Sequence, residues 1–177
     1  MALIVEDGTG LAAAESYASA SFADSYFAGR LPDAEWVDKD AEEKERALRR
    51  AADYMVQRYR MRWLGYRAQN AQRLDWPRGD VPKPDTPGGY GGYPAYYAHN
   101  VVPELVMEAQ CELAVRHIAG TVLSPDLGPP VLSKSVGPIT ITYADGARQT
   151  TEFRSVDMIL SPLLEPTGSS SMRLVRA

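Results

Sequence analysis

Residues 102–120, VPELVMEAQCELAVRHIAG, decide how this chain folds. At 3.6 residues per turn Glu104, Glu108, Glu112 and Arg116 fall on one i+4 ridge, while Val106, Met107, Ala109, Cys111, Leu113, Ala114 and Ile118 cover most of the remaining circumference. A helix with a single charged ridge has neighbours on nearly every other side. Pro103 at the first helical position gives up an amide that would have had no partner, and Gly120 is a natural C-terminal stop. The stretch predicts a central helix over about 103–119.

Working outward, residues 40–59 form a second strong helix. Asp40 is its N-cap with Glu43 three residues on, the arrangement of a capping box. Leu48, Ala51, Ala52, Met55 and Tyr59 make one apolar stripe, and Glu42 to Arg46 and Glu45 to Arg49 are favourable i,i+4 pairs on the other side. Before it, residues 1–18 read as an extended arm, Ser19 caps a short helix over 20–28 ended by Gly29, and Trp36 packs a polar bridge. After the central helix, Ile139, Ile141 and Tyr143 alternate with Thr140 and Thr142 as a strand over 136–143. Ala144-Asp145-Gly146 turns it and 149–153 returns as a second strand. Ser155 caps a last helix over 156–164. The fold class is mainly α: a small helical bundle around the central helix, a β-hairpin over about 136–153, and extended N- and C-terminal arms.

With 177 residues the chain makes one domain with extensions, here 1–165 with a loop over 79–101, followed by a C-terminal extension over 166–177. The extension is expected to dock on a partner through Met172, Leu174 and Val175. The lone Cys111 has no internal disulfide partner and behaves as a small hydrophobe. No run reaches the length of a membrane span, and the first residues lack the charged start and apolar run of a signal peptide. His99 and His117 are the only histidines, neither with a nucleophile or a set of metal ligands around it, so no enzyme, no cofactor and no metal is expected. His117 is expected as a hydrogen-bonded core or interface residue.

Two stretches carry candidate contacts. Residues 58–78, RYRMRWLGYRAQNAQRLDWPR, interleave six arginines with Tyr59, Trp63, Tyr66 and Trp76. Such a stretch suits a single strand, with phosphates on the arginines and bases on the rings. Equally, the rings pack inward and the arginines pair with carboxylates of a neighbouring segment or subunit. Arg60, Arg62 and Trp63 are its candidate contact residues. Residues 79–100, GDVPKPDTPGGYGGYPAYYAHN, have no regular period and offer Tyr90, Tyr93, Tyr96 and Tyr97 as a partner-contact surface. A net charge of −4 argues against a surface built throughout for nucleic acid, while leaving room for local basic patches.

Several of these pieces recur together in one family. They are Glu15-Ser16-Tyr17 before Tyr26-Phe27-Ala28, the arginine-rich helix end before Trp76-Pro77-Arg78, Val102-Pro103 opening a helix, Val136-Gly137-Pro138 before Tyr143-Ala144-Asp145-Gly146, and Val156-Asp157 before Leu163-Leu164. In that order and spacing, over residues 3–165, the chain resembles the bacteriophage head-tail connector (adaptor) family, many of whose members are catalogued as DnaT-like single-stranded DNA binding protein. The resemblance implies a structural, non-enzymatic virion protein made in the host cytoplasm. It would form a ring of about twelve copies at the head-tail junction, with the portal protein and a downstream neck or tail protein as partners. Genomic double-stranded DNA would pass through the ring without sequence-specific binding, and no membrane would be involved. The Glu104, Glu108, Glu112 ridge is then expected to face the channel or a neighbour's arginines. The alternative is a single-stranded DNA binding protein acting in phage DNA replication, in which case replacing Arg60, Arg62 and Trp63 weakens single-strand binding.

Overall fold

The computed structural model describes residues 2–32, 35–86, 95–125, 133–136, 139–142 and 151–166. Its elements are α1 (Ala20–Phe27), α2 (Ala41–Tyr59), β1 (Tyr66–Arg67), β2 (Arg78–Gly79), α3 (Glu104–Ile118), β3 (Ser133–Val136), β4 (Ile139–Thr142) and α4 (Arg154–Leu160). A 3-10 turn, Ser161–Leu163, follows α4. This is a mainly α fold in which α1, α2 and α4 all pack on α3. None of the described helices is long and apolar enough to cross a membrane.

The helix ends follow the capping chemistry written in the sequence. Ser19 accepts from the Phe22 amide at 3.0 Å, and Asp40 accepts from the Glu43 amide at 2.6 Å, each satisfying a donor that the helix itself leaves open. In α3 Pro103 stands one place earlier than expected, at the N-cap, and Gly120 ends the helix with φ +87°. Ala51, Ala52, Leu48, Met55 and Tyr59 of α2 are all buried, facing Val106, Ala109, Leu113 and Ala114 of α3 across the core. Trp36 is fully buried; its indole N–H donates to Asp24 at 2.8 Å, and the Lys44 ammonium reaches the same carboxylate at 2.9 Å.

Residues 2–18 are not an extended arm. The chain folds back so that the Glu15 amide donates to Ile4 and the Glu6 amide to Ser16, both near 2.8 Å. The turn between is wrapped around the Glu6 carboxylate, which accepts from the amides of Gly8, Gly10 and Leu11. The segment after the turn runs parallel to the first through an isolated Val5–Ser16 bridge and then enters the core, where the Tyr17 and Ala18 amides both donate to the Gln110 side-chain oxygen at 2.9 Å. A sequence rich in small residues and turns hides this, because the partners lie about ninety residues away.

The hairpin is displaced toward the N-terminus. β3 pairs antiparallel with β4 from Ser133↔Thr142 to Val136↔Ile139, so the strand expected to open the hairpin is its second strand. The expected return over 149–153 is not a strand where it is described, at 151–153. Ser133-Lys134-Ser135 carries little β preference of its own and takes its conformation from the pairing. The last helix begins one residue before Ser155, with Phe153 at its N-cap. Val156, Leu160, Leu163 and Leu164 are buried. Of the C-terminal extension over 166–177, residues 167–177 with Met172, Leu174 and Val175 lie outside the described residues, as do Tyr90 and Tyr93.

Candidate nucleic-acid interface

The arginine- and aromatic-rich stretch after α2 is a structural knot with one exposed face. Three of its four rings point inward: Tyr59 and Trp76 are fully buried and Trp63 is 3% exposed. They belong to a continuous run of edge-to-face and tilted ring contacts from Phe153 through Tyr54, Tyr59, Trp63 and Trp76 to Tyr97, with centroids 5.4–6.4 Å apart. Burial pushes the Tyr59 hydroxyl well above the usual phenol range, and its hydrogen bond to the Asp157 carboxylate at 2.7 Å adds to the rise.

The arginines are tied down in the same way. Arg60 donates to Asp75 at 2.8 Å and to the Arg73 carbonyl at 2.9 Å, while the Trp63 indole donates to the other Asp75 oxygen at 3.2 Å. Arg58 meets Glu152, Arg73 meets Asp53, and Arg67 donates to the Asn70 and Gln72 carbonyls. Arg78 is 6% exposed and donates to the carbonyls of Leu64, Gly65 and Asp75; burial lowers its pKa. Arg62 is half-buried and engaged within the chain. Trp63 therefore packs the frame of this segment, while Arg60, paired with Asp75, keeps its side chain 42% exposed. The intrachain alternative set out above holds for most of this stretch.

What the knot presents outward is Tyr66, at 66% exposure, and Met61, five residues earlier, at 89%. β1 and β2 form a two-residue ribbon in which Tyr66 faces Gly79. A methyl group at Gly79 would stand 3.0 Å from two ring carbons of Tyr66, so the bare backbone lets the ring lie against the ribbon with its other side open to solvent. Gly65, at φ +67°, brings the ribbon together: a side chain there would meet the Gly79 carbonyl at 2.1 Å. Continuing from β2, the chain pairs with the end of the long loop. The Tyr97 amide donates to Val81, the Lys83 amide to Ala95, and the Lys83 ammonium lies 5.6 Å from the Tyr97 ring centre. Tyr97 packs on Trp76 and is half-buried; Tyr96 is 49% exposed. Of the two described tyrosines of the loop, Tyr96 is thus the one turned to solvent.

Residues 60–83 hold six Arg and Lys against two Asp, a local charge of +4 in a chain of net −4. Of the acidic ridge of α3, which lies outside this segment, Glu112 finds partners in its own chain. Glu112 accepts from the Tyr26 hydroxyl at 3.1 Å and pairs with Arg116 at 2.8 Å. Glu108 is half-buried and its carboxyl is raised by burial and by neighbouring Glu104, which is exposed. His117 lies half-buried at the mouth of a cleft between α2 and α3, without a side-chain hydrogen bond among the described residues.

No curated protein and no solved structure matches the chain. A family model does: the one described as "Putative DnaT-like ssDNA binding protein" matches residues 1–177. The match includes the long loop and the C-terminal extension, which lay outside the motifs quoted from the sequence. It corrects the expectation of a head-tail connector, since the family that matches is described by single-strand binding and not by a neck ring, a portal or a tail. The short motifs shared in order fix an arrangement of helices and turns, and that arrangement does not specify a role in a particle. The chain belongs to the DnaT-like ssDNA binding protein family.

Proposed function

We propose that this protein binds single-stranded DNA without catalysing a reaction on it, and that the contact surface is the outward face of the β1–β2 ribbon. The observation that carries this is the Tyr66 ring, two-thirds exposed and backed by Gly79. A ring held on one side and open on the other is what a nucleobase stacks on, and every base has a face to offer, so the contact tolerates any sequence. Lys83 and the cationic excess of residues 60–83 supply attraction for phosphates. Family membership supports the same reading. Its setting is DNA replication, where single strands are exposed.

The test is fluorescence anisotropy with a labelled 12-nucleotide oligo-deoxythymidylate. Tyr66→Ala is expected to weaken binding by about 1–3 kcal/mol, the worth of one stacked base, with an unchanged melting temperature. Unchanged affinity in that variant would rule out the ribbon as the contact. Trp63→Ala serves as the contrast: as a buried ring between Tyr59 and Trp76, its loss costs about 3–5 kcal/mol of folding stability.

A further inference from the structure

A cleft runs between α2 and the C-terminal end of α3. It consists of two confluent cavities of about 310 and 490 Å³ that share Arg50, Asp53 and His117 as walls. Along α2 it extends from Glu43 to Gln57, about 21 Å at the helical rise, which is a trough and not a hole for one small ion.

The charges in the trough are not equally available. Arg49 is held by Glu15 at 2.9 Å and Glu45 at 3.3 Å, and Asp53 is held by Arg73 at 3.4 Å. Among the described residues Arg46 has only the exposed, solvent-screened Glu42 at 3.9 Å. Arg50 is exposed and, among the described residues, has no hydrogen bond or ion pair. Two guanidinium groups thus face one uncommitted carboxylate, Glu43. The negative end of α3 is muted, because the carbonyls of Val115, Arg116 and His117 already accept from the amides of Ala119, Thr121 and Gly120. The opposite wall offers the Thr121 hydroxyl as a further donor, while the Ser124 hydroxyl donates to Gln57 at 3.4 Å.

We propose that this trough is a phosphate-binding subsite in which Arg46 and Arg50 hold successive phosphates of the single strand, separate from the ring of Tyr66. The inference rests on the single-strand reading above. Guanidinium forks match phosphate oxygens in pairs, and a long cleft with two of them fits a chain of phosphates better than an isolated anion.

The test compares wild type with the double variant Arg46→Gln/Arg50→Gln on the same 12-nucleotide oligo-deoxythymidylate across a salt series, alongside arginine Nε–H spectra. Both residues are exposed, so the variant is expected to melt like the wild type. Two lost phosphate contacts flatten the log–log salt slope by about 1.4 and weaken binding about ten- to thirty-fold at 0.1 M salt. Arg46→Lys/Arg50→Lys restores the slope, and the Arg50 signal moves when the oligonucleotide is added to wild type. A wild type that binds, with a double variant of equal slope and affinity, overturns the subsite while leaving the Tyr66 surface standing. Should wild type fail to bind the oligonucleotide, the single-strand reading falls, and titration with inorganic phosphate decides the trough by itself. A shift of the Arg50 and His117 signals retains a free-phosphate site, and their silence removes it.

Discussion

The Gln110 side chain is the point at which the N-terminal fold-back, α2 and α3 meet. Fully buried, its oxygen accepts from the Tyr17 and Ala18 amides, while its nitrogen donates to the Ser16 hydroxyl at 2.7 Å and the Leu48 carbonyl at 2.9 Å. Gln110→Leu keeps the volume and strands those buried groups, so a loss of about 3 kcal/mol or more is expected in urea unfolding. Glu108 makes the complementary case. Burial and the nearby Glu104 raise its carboxyl, so the folded state takes up that proton more readily than the unfolded chain. Ionised Glu108 therefore weakens the fold at neutral pH, and the penalty lifts as pH falls through its raised pKa toward the ordinary carboxylate value. Glu108→Gln is expected to raise the melting temperature by about 1–2 °C at pH 7 and by nothing near pH 4. Neither role is legible in a sequence: Gln110 looks like one polar residue in an apolar helix, and Glu108 like one member of a charged ridge.

Among the elements, those whose structure is local were legible and those made by pairing were not. α1, α2 and α3 each carry local signals of where they start or stop, and Ser19, Asp40 and Gly120 do what their chemistry directs. The β1–β2 ribbon is only four residues long and is set by Gly65 and Gly79, fourteen positions apart. At Gly65 an added methyl group meets a carbonyl at 2.1 Å and the left-handed backbone is strained as well. Gly65→Ala is expected to cost about 1–3 kcal/mol by urea unfolding. Gly79→Ala meets only the movable Tyr66 ring, so it should leave stability nearly intact and instead weaken single-strand binding, by anisotropy. Equal stability losses in the two variants would mean that the ring is not laid on the ribbon as described. The hairpin shows the same limit from the other side: the apolar alternation of 139–142 marks a strand, but its partner at 133–136 has no such signal and is found only by pairing.

At the scale of the whole molecule, the chain spends most of its aromatic residues on holding itself together. The run of rings from Phe153 to Tyr97 joins α4, α2, the ribbon and the end of the long loop. Arginine and aromatic residues alternating in sequence could not by themselves say which would face water; the buried Asp75, which gathers Arg60 and Trp63, decides it. What remains outward is a small ring-bearing ribbon on a locally cationic segment, with a trough along α2 lined by the exposed Arg46 and Arg50, in a molecule of net negative charge. That distribution favours a strand laid along a limited path over general adhesion to nucleic acid. The central claim is preference for single strands, and the most direct measurement is the affinity of the intact protein for a 12-nucleotide single strand and for the corresponding duplex under identical salt. The account predicts tighter binding of the single strand, with a log–log salt slope of about −0.7 per phosphate contacted. Equal or tighter binding of the duplex, or no binding of either, would contradict it.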